Sequence, residues 1–219
     1  MATEITQEIA ARVLSIVDAG LVSGVGEPRP GHMCVEAAVC YAMGLPHGDD
    51  PQCVSRALRS LKIELNDKAW SSNEARAKGL RRLAVAHLGS RDVLDDREFA
   101  KRVAKLAITK SVPLALRAAA SIQKDPEHKA KLIAAANRCE TEGTKAAAYA
   151  AADAANAADA AYAADAAGAT ATAHAYADKP ADRSVSRDVV LKICAEIGVD
   201  ALRAAGAHGI KLMDQLITK

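Results

Sequence analysis

An alanine-rich tract limits what this chain can fold into. From Ala146 to Ala177 alanine predominates, with Tyr149, Asp153, Asn156, Asp159, Tyr162 and Asp165 set among it. Alanine is the best intrinsic helix former, so helix is favoured there before any packing is counted. Between Asn156 and Gly168 the other residues recur every three positions. At about 100° per residue that spacing slips roughly 60° each step, so they spiral round a helix and leave no single wet or greasy face. Each alanine buries little area, yet small side chains let a neighbouring helix approach closely, and dispersion between backbones recovers part of the deficit. A straight helix over 144–178 would be about 52 Å long. A compact chain of 219 residues has a radius of gyration of only about 17 Å. The tract therefore protrudes, serves an oligomer interface, or breaks. The poorly helical alternation of Thr170, Thr172, His174 and Tyr176 favours a break near Gly168 and a doubling back.

Helix signals fill the rest of the chain, and strand signals are almost absent. Ile5, Ile9, Val13, Ile16 and Val17 fall at helical steps over residues 3–19. The loop GVGEPRPG follows at 24–31, then a short apolar helix from His32 to Met43, ended by Gly44 and Pro46. Asp50-Pro51 reads as cap and first-turn proline of a helix with Val54, Leu58, Leu61 and Leu65 on one face. Ser71 to Glu74 has the spacing of a capping box, with Ser71 as the cap of a helix that runs to Leu88 and stops at Gly89. Asp95 with Glu98, Ser111-Val112-Pro113 and Asp125-Pro126 open three more. Ser184 or Ser186 caps a helix through Ile197, and Val199 to Leu216 forms the last. The expected fold class is all-α, a multi-helix bundle with a long alanine-rich helix or helical hairpin. Its expected organisation is a core at 1–143, the alanine-rich segment at 144–180, and C-terminal helices at 181–219 that pack back on the core.

Charge and composition exclude several classes. Lys and Arg number 29 against 27 Asp and Glu, a net +2 that is too balanced for a general nucleic-acid or membrane binder. Half the residues are hydrophobic, which supplies a core and excludes a disordered tail. The N-terminal stretch lacks the basic region of a signal peptide, and Asp153, Asp159 and Asp165 interrupt the longest apolar run, so no membrane span is expected. Cys34, Cys40, Cys53, Cys139 and Cys194 are odd in number and contain no CxxC pair, which fits free thiols in a reducing cytoplasm, the host's if the chain is phage-encoded.

Two segments carry candidate ligand chemistry. In the first, Gly24, Gly26, Glu27, Arg29, His32, Cys34 and Glu36 lie on a proline-stiffened loop that delivers the chain to a helix N-terminus. Free amides and the helix dipole make such a terminus an anion site, and Arg29 and His32 add charge. The P-loop signature is missing. In the second, Trp70, Ser71, Ser72 and Asn73 precede Arg76, Arg81 and Arg82, a stacking aromatic beside arginines that suits a nucleotide-like ligand. Cys34 at a helix start has the setting of a depressed pKa, with His32, His47 and His87 as candidate bases. Close Cys or His pairs of the zinc-site kind are lacking, and Cys34-Val-Glu36-Ala lacks the PCxxC companion of the zinc deaminases, so neither metal nor cofactor is expected.

The run from Gly31 to Ser90, with GHMCVEAAVCYA, LPHGDDP and WSSNEARAKGLRRLA, resembles a segment of uncharacterised alanine-rich helical proteins of bacteria and phages. VPLALRAAASIQKDPEHKA, NRCETEG and ALRAAGAHGIKLMDQL extend the resemblance over most of the chain. It implies no activity at individual residues, and occurrence in phages implies a host-directed binding role. The alanine tract is also similar to those of some polymorphic-toxin immunity proteins.

The leading expectation is a non-enzymatic protein that holds an anionic, nucleotide-like molecule between the two segments, a phage protein sequestering a host immune signal. A protein–protein, inhibitor or immunity-type module acting through the alanine-rich helices is the alternative, with a homo-oligomer through the same helices. A cysteine-dependent enzyme using Cys34 is the third class.

Overall fold

A computed structural model describes residues 5–91, 93–157 and 180–217, with side chains from 188 onward in the last stretch. Among the described residues the chain is all helical, with no strand or sheet beyond one isolated antiparallel pairing of Gly26 with Met33. The helices are α1 (Gln7–Asp18), α2 (Val35–Ala42), α3 (Arg56–Asp67), α4 (Asn73–Leu80), α5 (Leu83–Ala86), α6 (Asp96–Leu106), α7 (Val112–Ile122), α8 (Pro126–Glu142), α9 (Lys145–Ala157), α10 (Pro180–Ala204) and α11 (His208–Leu216). A π-helical turn, Ala107–Ser111, joins α6 to α7. The expected break near Gly168 lies outside the described residues. No described helix is long and apolar enough to cross a membrane.

The chain divides into two units, Met1–Lys101 with Ala195–Lys219, and Arg102–Cys194. In the first, α1 turns Ala10, Val13, Leu14, Ile16 and Val17 inward, as its three-and-four spacing dictates. Every residue of α5 is buried, and α1, α2 and α11 pack against it. Gly198 keeps an ordinary helical backbone inside α10 and faces Leu61 and Leu83. The break expected between Ile197 and Val199 is thus absent, and the chain turns instead at Ala205–Ala207, where Gly206 takes φ +69°. Ser184 and Ser186 lie inside α10 rather than at its start.

In the second unit α7, α8 and α9 share a core of Val112, Leu116, Ala119, Ala120, Leu132, Ala136, Cys139, Ala147, Ala151 and Ala155. Asp125 caps α8 as expected, its Oδ1 accepting from Glu127 N (2.8 Å) and His128 N (3.0 Å). Gly143 at φ +59° ends that helix. Val112-Pro113 open α7 as expected, with the proline in its first turn, and the π turn Ala107–Ser111 leads into it directly from α6. Proline has no N–H to donate backwards, and a wider turn absorbs the missing bond without breaking the chain's direction.

Two other caps differ from expectation. The cap of α3 is Ser55, whose Oγ accepts from Leu58 N (3.3 Å), because Asp49 and Asp50 are drawn to Arg59. The cap of α4 is Ser72, one residue past Ser71, with Oγ accepting from Ala75 N (3.1 Å). The stretch expected to be one helix from there to Leu88 is divided at Arg81–Arg82, where Val85 N bonds back three residues to Arg82 O.

Candidate functional site

The glycine-rich loop folds back on itself. Val22 N donates to Met33 O (3.0 Å), Glu27 N to His32 O (2.6 Å) and Cys34 N to Val25 O (3.2 Å). Gly26 stands at φ +73°, and a Cβ there would overlap the His32 carbonyl, so only glycine closes this turn. The end of α3 clamps the loop: Asp67 Oδ1 accepts from Gly24 N (2.8 Å), Ser23 Oγ (3.4 Å) and Asn66 Nδ2 (2.9 Å). Asn66 is buried, with Oδ1 taking Val35 N (3.2 Å) and Nδ2 also reaching Val22 O (2.9 Å).

The start of α2 is occupied by the chain itself. Val35 N goes to Asn66, Ala37 N to Cys34 Sγ (3.3 Å) and Ala38 N to the Cys34 carbonyl (3.0 Å). The amides that would make this terminus an anion site are thus largely spent. Cys34 is the cap of α2, and burial pushes its thiol up, the reverse of the depression a helix N-terminus alone predicts. A thiol held protonated and bonded to an amide is no activated nucleophile.

A cavity of about 90 Å³ lies between this loop and α3. Gly24, Val25, Cys34 and Glu36 line one side, Ile63, Asn66 and Asp67 the other, and Asp49 completes the wall. Glu36 has no solvent exposure at all, and behind it stands a fully buried Lys62. Lys62 Nζ lies 3.0 Å from Glu36 Oε1 and 2.6 Å from His87 Nε2. His87 is equally buried, and its Nδ1 is 2.7 Å from Leu83 O, so Nδ1 carries the proton and Nε2 accepts from the lysine. His87 Nε2 is 4.0 Å from Glu36 Oε2, which has no hydrogen-bond donor among the described residues.

Burial draws Glu36 up and Lys62 down, each opposed by its attraction to the other. Burial, reinforced by the neighbouring lysine, holds His87 well below the usual histidine range, so the imidazole is neutral. Whichever of Lys62 and Glu36 holds the shared proton, the three groups together carry no net charge. Asp49 is matched by Arg59, with Nη2 2.7 Å from Oδ1 and Nε 2.6 Å from the Asp49 carbonyl. Asp67 is exposed and lies within electrostatic reach of the Arg76 guanidinium, and among the described residues no group of three or more His, Cys, Asp or Glu is placed to hold a metal.

No family model, curated protein or solved structure matches the chain.

The Trp70–Arg82 segment forms no wall of this cavity. Trp70 is buried: its indole N–H donates to Leu65 O (2.9 Å), and its ring lies so close on Gly79 that a Cβ there would overlap it. Arg76 is 7% exposed and spends its guanidinium on Asn66 O (2.7 Å), Leu21 O (3.0 Å) and Asn73 Oδ1 (2.6 Å). Arg81 pairs through two bonds with Asp18 (2.6 and 3.0 Å), and Arg82 pairs with Glu196. Ser71 and Ser72 are exposed at the head of α4. On the loop, Arg29 Nε meets Glu27 Oε2 at 3.0 Å, both exposed, and His32 is exposed. Of the residues singled out in the sequence, the structure brings Gly24, Cys34 and Glu36 together at one cavity. It turns the arginines to carboxylates or carbonyls, and the tryptophan to the core.

Lys62, Asn66, Asp67 and Asp49 were not singled out. Lys62 had a signal: it lies four residues after Leu58 and three before Leu65, on the apolar face of α3, where a charged side chain requires a partner. His87 sits likewise within the apolar run Leu83 to Leu88.

Proposed function

We propose that this chain is a non-enzymatic binding protein that takes a small polar molecule into the cavity between the 24–36 loop and α3. One observation carries the reading: a cavity of about 90 Å³ is lined in part by Glu36, a fully buried residue whose Oε2 has no hydrogen-bond donor among the described residues. Buried polar atoms normally find partners, and an orphaned one beside an open space is the signature of a partner that comes from outside the chain. The catalytic alternative has less support, since the Cys34 thiol is raised and Lys62 and His87 are enclosed in the core.

Amide NMR on the intact protein tests the reading against nucleotides, including cyclic and ADP-ribose forms, and against small neutral and cationic molecules. The expected result is saturable shifts at Gly24, Val35, Glu36 and Asp67 for one chemical class. Absence of saturable shifts at those four amides for every class would overturn it.

A second reading, a protein-interaction module, is favoured by Tyr149. It is 61% exposed on α9, with Lys145 Nζ 5.4 Å above its ring, on the face opposite Ala147, Ala151 and Ala155. Those alanines belong to a core, so deleting 144–178 would damage the fold together with any interface. Tyr149→Ala is the clean perturbation: loss of partner capture with unchanged thermal stability supports this reading, and retained capture removes it.

A further inference from the structure

We infer that the first unit opens on acidification, when its buried Glu36–Lys62–His87 cluster is called on to take one further proton, while the second unit stays closed. This device stands whether or not the neighbouring cavity holds a ligand. Among the described residues, no Asp, Glu, Lys, Arg or His is buried in the second unit, whereas the first buries Glu36, Lys62, Arg76 and His87. Arginine keeps its charge throughout, so the three-residue cluster is the part of that core able to change its protonation.

The geometry leaves no place for a second proton. His87 Nδ1 already donates to Leu83 O at 2.7 Å, and Nε2 faces Lys62 Nζ at 2.6 Å. A proton added at Nε2 would set an imidazolium against an ammonium at that separation. A proton added at Glu36 would instead strip Lys62 of the counter-charge that lies 3.0 Å away. Wherever it lands, a net positive charge would stand among three side chains with no exposure, and an uncompensated buried charge is strongly unfavourable.

The surroundings do not absorb that charge. α1 and α11 turn apolar faces to α5; His208 of α11 is exposed, its Nε2 3.3 Å from Ile5 O. Glu196 of α10 is paired with Arg82, and Asp49 with Arg59. The Cys34, Cys40 and Cys53 thiols are raised by burial and stay neutral. In the opened chain His87 is an ordinary histidine that takes its proton near pH 6.5. Below that value the opened form binds one proton more than the closed form, so each pH unit downward favours opening about tenfold. Glu36 lies on α2, Lys62 on α3 and His87 at the end of α5, so parting the cluster parts all three.

The test is hydrogen exchange of the full chain at pH 7 and pH 5, corrected for the intrinsic pH dependence of exchange. Val39 and Cys40 of α2 and Leu65 of α3 report on the first unit, Leu132 and Ala136 of α8 on the second. One histidine makes the opening constant at the first set about 25 times larger at pH 5 than at pH 7, with the second set unchanged. In His87→Gln, whose amide oxygen accepts from Lys62 without titrating, that ratio falls below about threefold. Should the glutamine variant not fold, imidazole NMR of the unaltered chain decides: Nε2 stays unprotonated at pH 5.5 in the closed form. Protonation of His87 near pH 6.5 in the closed chain would overturn the inference, as would equal opening constants at α2 at the two pH values. A folded His87→Gln protein that keeps the full ratio would overturn it too, by assigning the proton elsewhere. An equal rise at Leu132 and Ala136 would overturn the confinement to the first unit.

Discussion

Replacing Lys62 by methionine removes the cation paired with Glu36 in the core. Methionine nearly matches the lysine stem in volume, so packing is preserved and the perturbation is electrostatic. Breaking a buried pair costs about 3–5 kcal/mol, because the remaining charge is left uncompensated. His87 Nε2 also loses its donor, at about 1–3 kcal/mol. At about 2–4 °C per kcal/mol for a chain of this size, the ion-pair loss alone lowers the melting temperature by about 6–20 °C. Pairing Lys62→Met with Glu36→Leu should restore most of this, since an apolar pair in place of a buried ion pair is neutral or about 1–4 kcal/mol stabilising. Only the orphaned imidazole remains to offset that gain. The double-mutant cycle therefore shows a coupling energy of several kcal/mol. The pH dependence has a definite sign. In Lys62→Met, burial without the paired ammonium holds the Glu36 carboxyl above its unfolded value, so the native state binds its proton more tightly and stability falls as pH rises through the folded pKa. The deficit relative to wild type is small at pH 4 and larger at pH 7, as urea titration at the two values would measure. A loss under about 1 kcal/mol at pH 7, or additive single and double variants, would refute the reasoning.

Three further outcomes are expected. Gly79→Ala places a methyl group in the Trp70 ring and should cost about 1–3 kcal/mol by overpacking, with a red shift in the emission of the chain's one tryptophan; unchanged emission would contradict the contact. Arg76→Ala leaves the carbonyls of Asn66 and Leu21 without their donors, at about 1–3 kcal/mol for each buried group, and Arg76→Lys should rescue only part of it, since an ammonium lacks the planar fork. Cys34 should react with iodoacetamide at neutral pH far more slowly in the native chain than in urea, as peptide mapping would show; equal rates would contradict a thiol raised by burial.

The helical architecture was legible because its signals are local. Asp125-Pro126, the Asp95 spacing and the steps of Ile9, Val13 and Ile16 depend on neighbours within one or two turns, and the structure follows each of them. The caps at Ser55 and Ser72 were displaced by partners distant in sequence or by competition between adjacent serines, which spacing alone does not reveal. The site was legible in part. Three glycines and two prolines marked the loop, but the charges of its surroundings depended on where Arg76, Arg81 and Arg82 found partners, up to 114 residues away. Arginines clustered in sequence read as a cationic patch; in space Asp18, Glu196 and the Leu21 carbonyl absorb them one by one. Lys62 shows the converse, a single charge on an apolar face whose partners, Glu36 and His87, come from two other segments.

The second unit's core has a consequence for how its sequence can drift. Ala147, Ala151 and Ala155 have no rotamers to freeze, so ordering them forfeits no side-chain freedom, and their size sets the spacing of α8 and α9. A valine at any of the three would act as a wedge between those helices, and a glycine would loosen the backbone that carries them. What looks like compositional monotony is in these positions a dimensional tolerance, as narrow as that of any large aliphatic residue and much easier to overlook.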